Sequence, residues 1–228
     1  RMKRFLIFFF ATHLFGICSS QPVWQNVWCG GAYNLGLKTD GTLWCWGDNS
    51  FGQLGFGDTV QRNSPELLFD TLHYKCIATG SSFNLMIKAD GTLWSWGRNK
   101  GRLGLGDIQD RSIPEQVGTD NDWKIVVAGE VHSMAIKSDG TLWGWGLNSY
   151  GEVGDGTNTD RLSPVQIGTD NDWETVSACS HFTAAKKTNG TVWTWGWNAF
   201  GQLGLGDTLS RTAPVQMGIS SNWKTLET

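Results

Sequence analysis

The fold of this chain is decided by residues 40–47, which read Asp-Gly-Thr-Leu-Trp-Cys-Trp-Gly. The block returns at residues 90–97 and 139–146 with only the residue between the two Trp changed, and at residues 189–196 with Asn for Asp and Val for Leu as well. An aromatic residue opens each copy at positions 24, 74, 123, 173 and 223, so the period is about 50 residues. A fixed period of this length indicates a modular array in which each copy is one supersecondary unit. The predicted repeats are about 24–73, 74–122, 123–172 and 173–222, with the start of a fifth at 223.

Each repeat has the pattern of short β-strands. An Asp-Gly or Asn-Gly pair between two apolar runs is a strong hairpin signal, and it predicts a type I′ turn with positive φ at both central residues. An opening run and a closing segment such as Val-Gln-Ile at residues 165–167 bring the count to about four strands per unit, as in a β-propeller blade. After residue 20, no stretch carries a sustained helical period.

Residues present in every repeat are interpreted as serving the blade, because a site for one partner rarely needs four copies. One fully buried Trp is worth roughly 4–6 kcal/mol at most, which explains the Trp pairs without a ligand. The recurring arginines are expected to tie one blade to the next through acidic residues such as Asp58 or Asp107. The predicted structural residues are Trp44, Trp46, Trp94, Trp96, Trp143, Trp145, Trp193, Trp195, Arg62, Arg111, Arg161 and Arg211.

The order of the motifs resembles that of the regulator of chromosome condensation repeat family. The resemblance is carried by Lys-x-Asp-Gly-Thr-Leu-Trp-x-Trp-Gly-x-Asn at 38–49, Gly-Gln-Leu-Gly-x-Gly-Asp at 52–58, the arginine, and Pro-Val-Gln at 214–216. It runs from about residue 24 to the end and points to the secreted bacterial type of this family. It implies an all-β propeller that usually has seven blades. We therefore expect about four blades of four strands, arranged as an open arc of such a ring.

The N-terminus has the layout of an export signal. Residues 2–4, Met-Lys-Arg, carry two positive charges, residues 5–17 are mostly apolar, and small residues stand just before Gln21. A lipoprotein signal acylated at Cys18 and an apolar N-terminal strand are the alternatives. The compact signal suggests a bacterial source and a secreted, periplasmic or cell-surface location. The predicted division is a signal peptide over 1–20 and a partial β-propeller over 21–228.

Charge and spacing argue against several classes of function. The whole chain has a net charge of −3, and removing three basic residues with the signal leaves 15 basic against 21 acidic residues, or −6. Nucleic-acid surfaces need a basic patch, so a nucleic-acid partner is not expected. The mature chain shows no stretch long enough to span a membrane.

Sequence motifs for catalysis or metal binding are also weak. No histidine pair has metal-ligand spacing and no serine lies in a nucleophile elbow, so we predict no catalytic residue, no metal and no cofactor. Residues 120–122 and 170–172 read Asp-Asn-Asp and resemble the start of a calcium loop, but a turn between blades is expected. Cys29, Cys45, Cys76 and Cys179 are expected to be small apolar core residues, with a Cys29–Cys45 bridge left open.

Candidate binding residues are sought where the repeats disagree. The position after each Trp-Gly reads Asp48, Arg98, Leu147 and Trp197. The position four residues after each opening aromatic reads Trp28, Ala78, Val127 and Ser177. Trp and Arg are enriched among interface hot spots. The predicted binding face is therefore Trp28, Arg98, Leu147 and Trp197, with incidental packing or solvent exposure as the alternative.

The function predicted from the sequence is a secreted or cell-surface interaction module without catalysis of its own, whose partner is a protein or a glycan. One alternative is a targeting module for an enzyme domain beyond residue 228. A remoter one is guanine-nucleotide exchange on a small GTPase, the founding activity of the family. The export signal, the acidic balance and the uniform repeat lengths argue against exchange, and a fold alone does not fix a function.

Overall fold

The computed structural model describes residues 22–70, 74–224 and 226, and the predicted signal peptide lies outside them. Sixteen strands form four antiparallel sheets of four. Blade 1 consists of β1 (Trp24–Cys29), β2 (Tyr33–Lys38), β3 (Leu43–Gly47) and β4 (Arg62–Phe69). Blade 2 consists of β5 (Tyr74–Thr79), β6 (Phe83–Lys88), β7 (Leu93–Gly97) and β8 (Arg111–Gln116). Blade 3 consists of β9 (Trp123–Ala128), β10 (His132–Lys137), β11 (Leu142–Gly146) and β12 (Arg161–Gln166). Blade 4 consists of β13 (Trp173–Ala178), β14 (Phe182–Lys187), β15 (Val192–Gly196) and β16 (Arg211–Gln216).

The prediction of four-stranded blades is confirmed, with one change in the last strand. Within each blade the strands pair in chain order, so every sheet is a meander. The outermost strand begins at the recurring arginine and includes the proline, several residues before the closing segment expected from the sequence. Proline is tolerated there because an outermost strand needs no hydrogen bond on its free edge.

The Asp-Gly hairpins are tight, but the expected type I′ turn is wrong. In blade 1, Gly41 N–H donates to the Lys38 carbonyl at 3.0 Å and Lys38 N–H donates to the Thr42 carbonyl at 3.0 Å. Gly41 has φ of 84°, whereas Asp40 is not among the described residues with positive φ. The connection is therefore a three-residue loop whose last residue is a left-handed glycine, and Asp40 accepts hydrogen bonds from the Thr42 N–H and hydroxyl instead.

The hydrophobic core lies between neighbouring blades and is repeated at each junction. The first core packs Leu35, Leu43 and Leu54 of blade 1 against Met86 and Trp96 of blade 2. Equivalent clusters join blades 2 and 3, and blades 3 and 4. The first strands β5, β9 and β13 also contact their neighbours, which places them nearest the axis. Each blade therefore buries one face by stacking on the next.

The second Trp of each Trp-x-Trp pair forms a polar bond across these junctions. Trp96, Trp145 and Trp195 are fully buried. Their indole N–H groups donate to main-chain oxygens in the preceding blade, namely those of Gln53 at 3.1 Å, Arg102 at 2.8 Å and Glu152 at 2.9 Å. Because each acceptor lies in the long loop after a third strand, the Trp that fills the core also holds that loop in place.

The recurring arginines act within one repeat. Arg62 pairs with Asp58 at 2.9 Å and with Glu66 at 2.7 Å, and Arg111 pairs with Asp107 at 2.7 Å. The acidic partners expected from the sequence are confirmed, but they belong to the same repeat as the arginine. Each ion pair therefore closes a loop of its own blade, and among the described residues these arginines form no ion pair with another blade.

Candidate interaction face

One face of the arc carries all the long loops. Tyr33 pairs with Gly47 across β2 and β3, so the corner at residues 30–32 and the loop at residues 48–61 lie at the same end of blade 1. The Asp-Gly hairpin lies at the opposite end. The same register recurs in the other blades. We call the first end the loop face and the second the hairpin face.

The position after each Trp-Gly has the same backbone anchor in all four blades. Its N–H donates to a corner carbonyl of its own blade at 2.8–3.0 Å. The donor residues are Asp48, Arg98, Leu147 and Trp197, and the acceptors are Ala32, Ser82, Val131 and His181. All four side chains are half-buried on the loop face. The backbone is thus fixed where the side-chain chemistry changes from acidic to basic, aliphatic and aromatic.

Aromatic side chains form a shelf on the loop face between blades 3 and 4. The Trp197 ring centroid lies 5.9 Å from Tyr150, 6.1 Å from His181 and 5.2 Å from Phe200. Tyr150 and His181 also meet edge to face at 5.7 Å. The shelf is open to solvent, since Tyr150 is 44% and Phe200 is 82% exposed. Tyr150, His181, Trp197 and Phe200 are called the aromatic shelf below.

A buried carboxylate supports the shelf from beneath. Glu152 is 1% exposed, and its Oε1 lies 3.0 Å from His181 Nδ1. Its Oε2 accepts the Tyr150 N–H at 2.8 Å. The same residue's main-chain oxygen accepts the Trp195 indole N–H, which links the shelf to the buried core. Tyr150 and His181 are therefore held by one fixed group.

Neighbouring His132 is fully buried in the same junction. Its Nε2 lies 2.8 Å from the Thr183 hydroxyl in blade 4, and its Nδ1 has no partner among the described residues. Burial, and secondarily the charge of His181, lowers the pKa of His132 to about 3. The imidazole is neutral near pH 7 and serves as the aromatic filler that Tyr33 and Phe83 provide in blades 1 and 2.

The predicted binding residues divide into two places. Arg98, Leu147 and Trp197 lie on the loop face at equivalent positions in consecutive blades, and the Arg98 guanidinium lies 4.4 Å from the Phe51 ring centroid. Trp28 lies on β1 instead, where its half-buried ring meets Tyr74 of blade 2 edge to face at 6.2 Å. Trp28 therefore packs at a junction near the axis and does not join the other three.

A cavity of about 370 Å³ lies where the corners of all four blades meet. Its walls are mostly small residues, with Glu130 as the acidic one. The corners are linked by Gly31 N–H to the Ser81 carbonyl at 2.9 Å and by the Ser180 hydroxyl to Glu130 Oε2 at 2.6 Å. The four described thiols are free, so the possible Cys29–Cys45 bridge is absent, and the Cys45 thiol contacts the Leu54 carbonyl.

The Asp-Asn-Asp segments hold lysines at the hairpin face. Lys137 Nζ lies 2.6 Å from Asp120 and 3.2 Å from Asp122, and Lys187 makes the same pair of contacts one repeat later. These segments are the turns between blades that the sequence predicts. Within residues 22–70 and 74–224, no cluster of three or more His, Cys, Asp or Glu could hold a metal ion. The same described part of the chain contains no helix long and apolar enough to cross a membrane.

Four stacked meander sheets with one loop-bearing face define a β-propeller repeat scaffold. The chain belongs to the RCC1-like domain family, whose model matches residues 14–226. Over 37 residues it is 49% identical to the zebrafish (Danio rerio) Protein RCC2 homolog, a stretch that covers 16% of this chain and 8% of the homolog.

Solved propellers have the same fold. Yeast RCC1 (Prp20), in its structure with Kap60, matches with a TM-score of 0.77 and 24% identity, covering 89% of this chain and 50% of the yeast chain. Human WBSCR16 matches with a TM-score of 0.74 and 24% identity, covering 88% of this chain and 54% of the human one. This chain therefore spans about half the length of the propellers that it matches.

The structure also identifies a residue that the sequence reasoning missed. Arg102 is 6% exposed, and its Nε and Nη1 have no hydrogen-bond partner among the described residues. It lies on the loop between β7 and β8, in the same blade as Arg98. The signal was present in the repeats, because this position reads Gln53, Arg102, Glu152 and Gln202 in the four copies.

Proposed function

We propose that this chain is a protein-interaction scaffold that binds its partner through the loop face. The observation that carries the proposal is the aromatic shelf beside three positions whose backbone is fixed and whose side chains differ. Aromatic and arginine side chains dominate binding energy at interfaces when they are held in place before binding. A buried carboxylate holds Tyr150 and His181, and the Trp197 ring packs against both, so little ordering of these three side chains is needed on binding.

The surface indicates the chemistry of the partner. Phe200 and Tyr150 offer exposed rings, which favour an apolar or aromatic side chain on the other protein. Arg98 lies on the same face in blade 2, one blade from Tyr150 and two from Phe200, and it favours an acidic group on the partner. In the matched yeast propeller, the solved complex contains the protein Kap60, and a second structure was described together with binding to Gsp1p and histones. We carry over only the class of partner, a protein.

The proposal is tested by capture of binding proteins with matched variants. Trp197→Leu introduces the residue that blade 3 has at this position, and combined with Phe200→Ala it removes two of the four rings of the shelf. Ile113→Ala is the control, because Ile113 is an apolar residue that is 57% exposed on the outermost strand β8. A protein that is retained by the native chain and the control but lost by the shelf variant supports the loop face. Equal retention by all three would reject it.

We also propose that the chain is exported. The proposal is supported by the basic, apolar and small-residue order of residues 2–20. Mass spectrometry of protein recovered outside the cytoplasm should give Gln21 as the N-terminal residue. Retention of Met2 in the recovered protein would reject cleavage before Gln21, and failure to recover the protein outside the cytoplasm would reject the proposed location.

A further inference from the structure

One position of the long loop accepts the same backbone hydrogen bond in three repeats. In blades 1, 3 and 4 its side-chain oxygen accepts an N–H of its own loop at 2.8–3.0 Å. The acceptors are Gln53, Glu152 and Gln202, and the donors are Phe51, Tyr150 and Phe200. This hydrogen bond requires a side-chain acceptor, and Gln or Glu supplies one.

The loop of blade 2 is one residue shorter and does not form this hydrogen bond. Asn49-Ser50-Phe51-Gly52 in blade 1 corresponds to Asn99-Lys100-Gly101 in blade 2, so the aromatic residue and its N–H are missing. The Gly101 N–H donates to Asn99 Oδ1 at 3.0 Å instead. The following position is therefore free to hold arginine, which only donates hydrogen bonds.

Two of the three nitrogens of the Arg102 guanidinium, Nε and Nη1, are buried without a partner. Both are shielded from solvent and make no hydrogen bond among the described residues. Burial lowers the pKa of Arg102, and the charge of Arg98 lowers it further, while Glu130 and Asp110 act in the opposite direction. Buried donors of this kind are costly to leave unpaired, so an acceptor that entered here would be strongly favoured.

The other repeats show which groups fill the equivalent space. In blade 1, Gln53 Nε2 donates to Asp48 Oδ2 at 2.7 Å, and blade 2 has Arg98 where blade 1 has Asp48. In blade 3, Glu152 meets His181 of blade 4. The residue of blade 3 equivalent to His181 is Val131, which offers no polar group to the preceding loop. Arg102 therefore lacks both kinds of internal partner. Arg98 stands in place of the carboxylate of Asp48, and Val131 stands in place of the imidazole of His181.

We propose that Arg102 and Arg98 form a carboxylate-binding subsite on the loop face, which takes an Asp or Glu side chain of the partner protein. The source of the carboxylate rests on the function proposed above. The carboxylate occupies the place that Asp48 fills in blade 1, and its two oxygens match the parallel donors of a guanidinium. The two carboxylates of the chain that act on Arg102 already have partners: Glu130 accepts the Ser180 hydroxyl at 2.6 Å, and Asp110 accepts the Asn99 N–H at 2.8 Å.

The test is a side-chain NMR titration of the full chain. The arginine Nε–H signals are recorded while sodium acetate is added, with sodium chloride at equal ionic strength and inorganic phosphate as parallel series. Arg102→Gln assigns the signal and introduces the residue found in blades 1 and 4. We expect the Arg102 signal to shift saturably with acetate and to stay in place with chloride. No saturable shift with acetate, or one with phosphate alone, overturns the proposal.

Two variants at position 98 separate the subsite from general charge effects. Arg98→Asp copies blade 1 and supplies an internal carboxylate, so it should abolish the acetate response of Arg102 and raise the melting temperature. Arg98→Leu copies blade 3 and should weaken the response without raising the melting temperature. An unchanged acetate response in Arg98→Asp contradicts the proposal.

The acetate titration needs no partner, so its outcome is independent of the capture experiment. An acetate response with unchanged capture by the shelf variant would reject the loop face as the protein site and keep the subsite. Capture lost by the shelf variant with no acetate response would keep the loop face and reject the subsite.

Discussion

Replacing Trp145 by alanine should destabilise the chain more than the same change at the equivalent Trp46, and the loss should fall on the junction between blades 2 and 3. The Trp145 indole is fully buried, packs 6.3 Å from the Trp123 ring centroid and donates to the Arg102 carbonyl at 2.8 Å. Trp46 is half-buried, and no hydrogen bond to another blade is formed by its indole among the described residues. The two positions differ in burial and bonding but not in repeat register.

The size of the effect follows from these differences. Truncating a fully buried Trp costs about 3–5 kcal/mol through lost apolar contact and the cavity that remains. The lost indole hydrogen bond contributes about 1 kcal/mol of this. The Arg102 carbonyl keeps the Ser133 hydroxyl at 2.8 Å, so the acceptor is not left unpaired. Trp46 is partly exposed and loses no hydrogen bond to another blade, so we expect a smaller cost of roughly 2–3 kcal/mol.

The assay is urea unfolding followed by far-ultraviolet circular dichroism, with hydrogen exchange of the loop between β7 and β8. Trp145→Ala should lower the unfolding midpoint strongly and speed exchange in that loop. Trp46→Ala should lower the midpoint less and leave the loop unchanged. Equal losses in the two variants, or a loop that stays protected in Trp145→Ala, would refute the view that the second Trp joins consecutive blades.

Three further predictions concern pH, the hairpins and the loop ion pairs. The unfolded chain protonates His132 near pH 6.5 and the folded chain only near pH 3. The free energy of unfolding should therefore fall by about 1.4 kcal/mol for each pH unit as the pH is lowered from about 6.5 to about 3. His132→Phe should remove this slope in pH-dependent urea unfolding. Gly140→Ala should lower the melting temperature more than Gly41→Ala, because both have positive φ but only the Cβ at 140 would meet a backbone oxygen, at 2.0 Å. Arg111→Met should speed hydrogen exchange in its own loop and spare neighbouring blades.

Each of these predictions has an outcome that contradicts it. A pH slope that persists in His132→Phe would assign the acid sensitivity to other groups. Equal melting temperatures for the two glycine variants would show that the hairpin of blade 3 does not press on the next linker. Faster exchange in blade 3 of Arg111→Met would show that the ion pairs join blades after all.

The repeat period and the hairpin signals were enough to predict the fold. The Trp-x-Trp motif predicted a strand because its period of two places both rings on one side. The turn type could not be predicted, since Asp-Gly suits both a two-residue and a three-residue connection, and the Asp40 bonds to Thr42 decide between them. The reach of Trp145 into the preceding blade also depends on how the sheets stack, which the spacing within one repeat does not contain.

The position at which the four repeats carry different side chains predicted part of the loop face. Arg98, Leu147 and Trp197 share one place because flanking residues fix the backbone there. Trp28 was grouped with them by residue type, but its register on β1 points it into a junction. Arg102 was missed because its lack of partners comes from two other changes, at Arg98 and Val131, which become neighbours of this loop only after folding.

Photo-crosslinking from defined positions shows directly whether the partner binds the loop face. A photoreactive side chain is placed at 98, 147 or 197 on the loop face, and at 90, 139 or 189 on the hairpin face. We predict that a captured protein forms adducts from the first set and none from the second. Adducts from the hairpin positions, with none from the loop positions, would show that the partner binds the hairpin face and not the loop face.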